Sequence, residues 1–105
     1  TIQNICKKHN IVVCIMGHIG DGNIHPNYAL DLNDENEMNR FNACRSEIID
    51  EIIKLKGSIT GEHGIGVEKA KYIEKSIGNV NIQLMKSIKN VIDPENIMNP
   101  NKIFE

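Results

Sequence analysis

Between Asn33 and Gly57 the sequence spaces its apolar residues by three or four: Met38, Phe41, Cys44, Ile48, Ile52 and Leu55, with Ile49 and Ile53 widening the stripe. That period marks a helix with one buried face. Asn33-Asp34 supplies an N-cap and Gly57 a stop, so the helix is expected over roughly Glu35 to Lys56. An apolar stripe of this length must be covered by another layer, and the residues ahead of it provide one. Ile11 to Met16 is a continuous apolar, β-branched run, expected to be a strand buried on both faces and ended by Gly17. Ile24 to Leu32 alternates instead. Period-two geometry places His25, Asn27, Ala29 and Asp31 on one face, with Ile24, Pro26, Tyr28, Leu30 and Leu32 on the other. Pro26 marks this run as an edge or irregular strand. Two neighbouring strands joined by a His18–Asn23 loop, with helices to one side, make an α+β layer of helices packed on a small antiparallel sheet.

The flanks extend the pattern. Thr1 to Asn10 reads as the end of a helix: Ile2 and Ile5 or Cys6 share a face, Lys7 and Lys8 suit a C-terminus, and Asn10 supplies the turn. Its beginning is expected to lie upstream, in a longer protein. Ser58-Ile59-Thr60 is short and β-prone. A helix is expected from Ile65 or Gly66 to Ser76, closed by Gly78. Another should run from Asn79 or Asn81 through Ile92, with Ile82, Met85, Ile88 and Ile92 along one side. Asp93-Pro94 has the cap-plus-first-turn signature of one more short turn, followed by an extended, apolar-tipped tail.

Composition removes several function classes. With 105 residues, the chain is one domain at most, and a net charge of −2 carries no electrostatic footprint for nucleic acid. Two Tyr, two Phe and no Trp leave no base-stacking platform. The three cysteines, Cys6, Cys14 and Cys44, are odd in number and form no C-x-x-C pair. This argues against a disulfide framework or thiolate zinc site and for reduced thiols in a cytoplasmic setting. Cys14 and Cys44 are read as small core hydrophobes. Neither a signal-peptide pattern nor a long uncharged apolar stretch occurs.

The chemistry gathers in two polar, glycine-rich islands. Gly17 to Asn27 reads G-H-I-G-D-G-N-I-H-P-N and holds two of the four histidines, His18 and His25. Thr60 to Gly66 reads T-G-E-H-G-I-G and holds a third, His63, beside Glu62. If the strands are neighbours, the loop folds His18 back toward His25. Two imidazoles with a carboxylate from Glu62 are then plausible ligands for a divalent ion, with a position left open for catalysis. Two exposed loop histidines with turning glycines fit the spacing equally well. Asn27 shares the His25 face and could contact a ligand, an imidazole or a substrate, or simply solvent. Asp21 suits either an acceptor that orients a histidine or an Asx turn. The side chains of Glu62 and His63 are expected to diverge, one toward a metal and the other, His63, toward a reacting proton as general base. The plain alternative for Glu62 is an anion at a helix start.

The two islands and a third segment, D-P-E-N-I-M-N-P-N-K-I-F, resemble in order and spacing the C-terminal domain of FAD-linked oxidases. That family includes D-lactate dehydrogenases, the glycolate oxidase D subunit and D-2-hydroxyglutarate dehydrogenases. The resemblance covers Ile11 to the end and implies that residues 1–105 form the second half of a ferredoxin-like cap domain. The FAD-binding domain and the first half of the cap would lie outside the chain. It further implies metal ligands His18, His25 and Glu62, proton acceptor His63, substrate contacts Asn27 and His63, and a flavin-side residue, Asn99. Asn101 stands where the family usually has Gly. By this resemblance a D-2-hydroxy acid chelates a divalent metal, zinc among others, His63 takes the hydroxyl proton, and a hydride leaves for FAD. The electron acceptor would be a quinone, an electron-transfer flavoprotein, a cytochrome or oxygen, one of these bringing the enzyme to a membrane periphery. Sheet edges that the rest of the cap would cover could pair with another copy, so a dimer of these residues need not reflect the full enzyme. A different class fits the same loops: a stand-alone α+β module that binds metal or an anion without redox activity.

Overall fold

The computed structural model describes residues 1–104, and the chain is α+β, as its patterning implies. It divides into two compact units, Thr1–Gly57 and Ser58–Glu105.

In the first unit, helix α1 (Ile2–Lys8) leads into strand β1 (Val12–His18), a 3-10 turn (Ile19–Asp21), strand β2 (Asn23–Ala29) and helix α2 (Glu35–Lys54). Helix α1 ends as the Lys-Lys-His-Asn sequence suggests. Asn10 sits at φ +54°, its N–H reaches the Lys7 carbonyl, and the Ile11 N–H reaches the Cys6 carbonyl at 2.9 Å. These paired bonds form a Schellman motif with Asn in the left-handed position. The same closure ends α2, but with a shifted residue. Lys56, at φ +59°, occupies the left-handed position, and the Gly57 N–H bonds the Ile52 carbonyl at 2.9 Å. Gly57 is therefore not the left-handed stop expected of it. A Cβ there would meet the Ile52 side chain at 3.2 Å, so close packing is what suits glycine to the position.

The N-cap of α2 is Asp34, whose carboxylate accepts from the Asn36 and Glu37 N–H groups. The helix buries Phe41, Cys44, Ile48 and Ile49, with Met38 and Ile52 half-buried against the same cluster as Ile5, Cys6 and Ile11. Leu55, at the end of the expected stripe, is exposed. Tyr28 meets Phe41 edge-on, ring centroids 4.9 Å apart, which docks the sheet on the helix. Burial pushes the Tyr28 hydroxyl up to about 12. Cys6 and Cys44 are fully buried with their sulfurs 3.7 Å apart, and burial likewise pushes the Cys44 thiol up to about 12. Both are reduced.

Strands β1 and β2 pair antiparallel, Val12 opposite Ala29 and His18 opposite Asn23. Two expectations fail here. β1 is not buried on both faces: Val12, Met16 and Cys14 are exposed on the face turned away from the helices, so Cys14 is not a core residue. Gly17 does not end the strand either; it continues to His18. The strand reads as fully buried because its outward residues are as apolar as its inward ones, which periodicity alone cannot separate.

In the second unit, turns over 66–69 precede helix α3 (Ala70–Ile77), later than the sequence suggests. Helix α4 (Asn79–Ile92) packs on α3, with Gly78 between them at φ +79°. Ala70, Tyr72, Ile73 and Ile82 are buried, whereas Ile88 and Ile92, expected on the covered side of α4, are exposed. Ser58-Ile59-Thr60 is loop rather than strand. The short turn after α4 is present, with the Asn96 N–H on the Asp93 carbonyl. Beyond it the tail is not extended: Asn96, Asn99, Asn101 and Ile103 all take positive φ. No helix among the described residues is long and apolar enough to cross a membrane.

Candidate active site

The strand register decides where the first island's histidines go. His18 pairs with Asn23 and Met16 with His25, so His18 and His25 are diagonal neighbours on one face of the hairpin, at its loop end. Their rings stand edge to face, with centroids 5.3 Å apart. That face is the one turned away from α1 and α2, since Val13 and Tyr28 on the other face pack against the core. The apolar groove of this unit, lined by Ile2, Ile5, Ile15, Ile24, Ile48 and Ile52, is also on the helix side, apart from the imidazoles.

The loop that brings the histidines together is made by backbone. Ile19–Asp21 forms the 3-10 turn, closed by the Gly22 N–H on the Ile19 carbonyl at 3.2 Å, with Gly22 at φ +67°. Gly17 lies where a Cβ would sit 2.3 Å from the Asn23 carbonyl oxygen. The strands therefore close at the histidine end only because residue 17 has no side chain. Asn27 is on the histidine face, opposite Cys14, and its amide donates to the His25 carbonyl at 3.2 Å. Asp21 lies in the 3-10 turn.

The second island is held differently. The Thr60 hydroxyl accepts from the Gly64 N–H at 2.9 Å and donates to the Gly64 carbonyl at 3.1 Å. The Ser58 hydroxyl in turn donates to the Thr60 carbonyl at 2.7 Å and accepts from the Thr60 N–H at 3.3 Å. Between these bonds, Gly61-Glu62-His63 forms a bend that ends on Gly64 at φ +83°. Glu62 and His63 do not diverge as expected. Glu62 Oε1 lies 3.5 Å from His63 Nε2, both side chains largely exposed. The bend, which neither an extended nor a helical backbone resembles, turns them toward each other. The β-propensity of Ser58-Ile59-Thr60 masks this hydroxyl closure; the signal for it is Ser and Thr two apart leading into a glycine-rich turn.

The third segment is organised by Asp93. This carboxylate is buried and accepts from the Ile97 and Met98 N–H groups, each at 3.0 Å, and from Lys89 Nζ. The Lys89 ammonium, then the two backbone N–H groups, hold its carboxyl below the usual carboxylate range against the opposing effect of burial. Asn99 follows directly, in a left-handed conformation at φ +49°. Asn101 is also left-handed, φ +59°, a geometry that Asn adopts more readily than most non-glycine residues.

The whole length of the chain bears on this arrangement. Residues 1–103 match the family described as FAD linked oxidases, C-terminal domain. This chain belongs to that family. It is 44% identical over 103 residues to the glycolate oxidase subunit GlcD of Bacillus subtilis, covering 98% of this chain and 22% of that protein. It is 39% identical over 98 residues to a probable mitochondrial D-lactate dehydrogenase of Danio rerio, covering 93% and 20%. A D-2-hydroxyglutarate dehydrogenase of Stutzerimonas stutzeri is 44% identical over 92 residues, covering 84% and 19%. The chain thus spans about a fifth of the length of the curated relatives it matches.

Proposed function

We propose that this FAD-linked oxidase domain supplies the metal- and substrate-binding side of an enzyme that oxidises a small D-2-hydroxy acid to its 2-oxo acid. The observation that carries the proposal is the hairpin register, which sets His18 and His25 side by side in a chain whose relatives are named for glycolate, lactate and 2-hydroxyglutarate oxidation.

The donor set fits a divalent ion. Two imidazoles on one hairpin face are borderline donors suited to zinc, and equally to manganese, iron or cobalt when a carboxylate completes the set. Glu62 joins His18 and His25 on the strength of the T-G-E-H-G pattern. When bound, the ion supplies Lewis-acid stabilisation to the substrate hydroxyl as it loses its proton. His63 accepts that proton, and Glu62, whose Oε1 lies 3.5 Å from His63 Nε2, faces the imidazolium as an ion-pair partner. Asn27 lines the substrate side beside His25. FAD, held by a domain outside these residues, would supply the hydride acceptor, and Asn99 is the residue of this chain assigned to the flavin side. The electron acceptor is a quinone, an electron-transfer flavoprotein, a cytochrome or oxygen. The enzyme works in the cytoplasm or at a membrane periphery through that acceptor, and the hairpin edges are the place where two copies would pair.

Turnover of the full-length enzyme with D-lactate, glycolate and D-2-hydroxyglutarate tests this reading. His63→Ala should lower kcat by about 10³-fold, within the range of general acid–base catalysis, while metal content stays at the parent level. His18→Ala and Glu62→Ala should lose metal and turnover together. Full turnover in His63→Ala would remove the proton-acceptor role. A parent enzyme that oxidises none of the three acids, yet takes up metal or an anion, would favour the non-redox binding module.

A further inference from the structure

Glu62 and His63 are largely exposed and lie in a bend with neither helix nor strand to hold it. Fixing side chains in a segment without regular structure costs affinity unless the backbone that carries them is already held. What opposes this is a pair of hydroxyls. Thr60 Oγ1 bridges the N–H and the carbonyl of Gly64, so one side chain ties both peptide groups of the residue that ends the bend. Ser58 Oγ does the same to Thr60 itself. The segment is also rooted between the two hydroxyls, at Ile59, which is buried.

We infer that Thr60 is a positioning residue: its hydroxyl closes the 60–64 loop and so presets the Glu62–His63 pair for ligand capture and proton transfer. Its effect runs through the loop, as a supporting shell orients the donors of a metal site. The inference rests on the proposed roles of Glu62 and His63, and it assigns a function to a residue whose β-propensity alone suggests a strand. A methyl in place of the hydroxyl, as in Thr60→Val, keeps the shape and removes both bonds. Thr60→Ser keeps the bonds and removes the methyl.

The test uses the labelled 105-residue chain and three readouts. In Thr60→Val, exchange of the Gly64 amide should accelerate by about tenfold, the share of protection that one net hydrogen bond contributes. Backbone order parameters at Glu62 and His63 should fall toward the flexible range of about 0.6, with the melting temperature unchanged. Thr60→Ser should restore both. Titration with Co²⁺ should show affinity about tenfold weaker in Thr60→Val than in the parent, the low end of the cost of losing a donor's support. Unchanged order at Glu62 and His63 in Thr60→Val, or a loss spread over the whole chain with a lowered melting temperature, would overturn the inference. So would a Thr60→Ser chain that behaves as Thr60→Val. If the parent takes up no Co²⁺, the metal reading fails, and the order parameters still decide whether Thr60 sets the pair.

Discussion

The two islands reach a similar end, paired side chains of ligating chemistry, by opposite means. His18 and His25 are placed by a backbone ladder: register puts them on one face, and a missing side chain at Gly17 lets the strands close. Glu62 and His63 are placed by side-chain hydroxyls around a bend that has no regular structure. A ladder opens only as part of a cooperative unit, whereas a hydroxyl clasp opens alone. The hairpin is therefore the fixed island and the 60–64 loop the adjustable one.

Substituting the two glycines breaks this comparison most sharply. Gly17→Ala forces a Cβ to within 2.3 Å of the Asn23 carbonyl oxygen. Overpacking against backbone of this kind should cost about 3 kcal/mol. Chemical denaturation would show it as a lowered midpoint, with amide protection lost across β1 and β2 together. Gly64→Ala meets nothing within 4 Å but must hold φ +83°. It should cost about 1–2 kcal/mol as local strain, seen as faster exchange confined to the loop. Equal and equally spread effects would erase the distinction between fixed and adjustable islands.

A smaller effect is expected at Asn101, left-handed at φ +59°. Asn101→Val should lower stability by about 1 kcal/mol, and Asn101→Gly should leave it unchanged or slightly raised. The smallest effect sharpens the picture of the tail. The Asp93 carboxyl is depressed in the folded chain, so its clamp is fully present above the ordinary carboxylate pKa and is lost as pH falls through the depressed folded value. Protection of the Ile97 and Met98 amides should fall over that acidic window, followed by hydrogen exchange. In Asp93→Asn it should no longer depend on pH there.

Much of the first unit was legible in the sequence because its signals are periodic. The α2 stripe, its Asp34 cap, the alternation in β2 and the turn at Asn10 each follow from residue spacing and local propensity, and together they place His18 beside His25. What the sequence hid depends on atoms brought close by folding. The outward face of β1 is apolar, so nothing in Val12, Cys14 and Met16 distinguishes it from the inward face. Lys56 rather than Gly57 takes the left-handed position, and Gly57 instead packs closely against Ile52. The approach of Glu62 to His63 depends on a bend whose hydrogen bonds use side chains, and propensities do not count those. Asp93 was legible as a cap, but its reach to Ile97 and Met98 was not, since it requires the tail to turn back in left-handed steps.

Metal binding by the purified chain, titrated with Zn²⁺ beside a His18→Ala/His25→Ala chain, tests the central claim most directly. The account expects about one equivalent bound by the parent, as a site with two imidazoles and a carboxylate should take, and none by the double variant. Equal binding by both chains, or no binding by either, would contradict a metal site preformed on the hairpin.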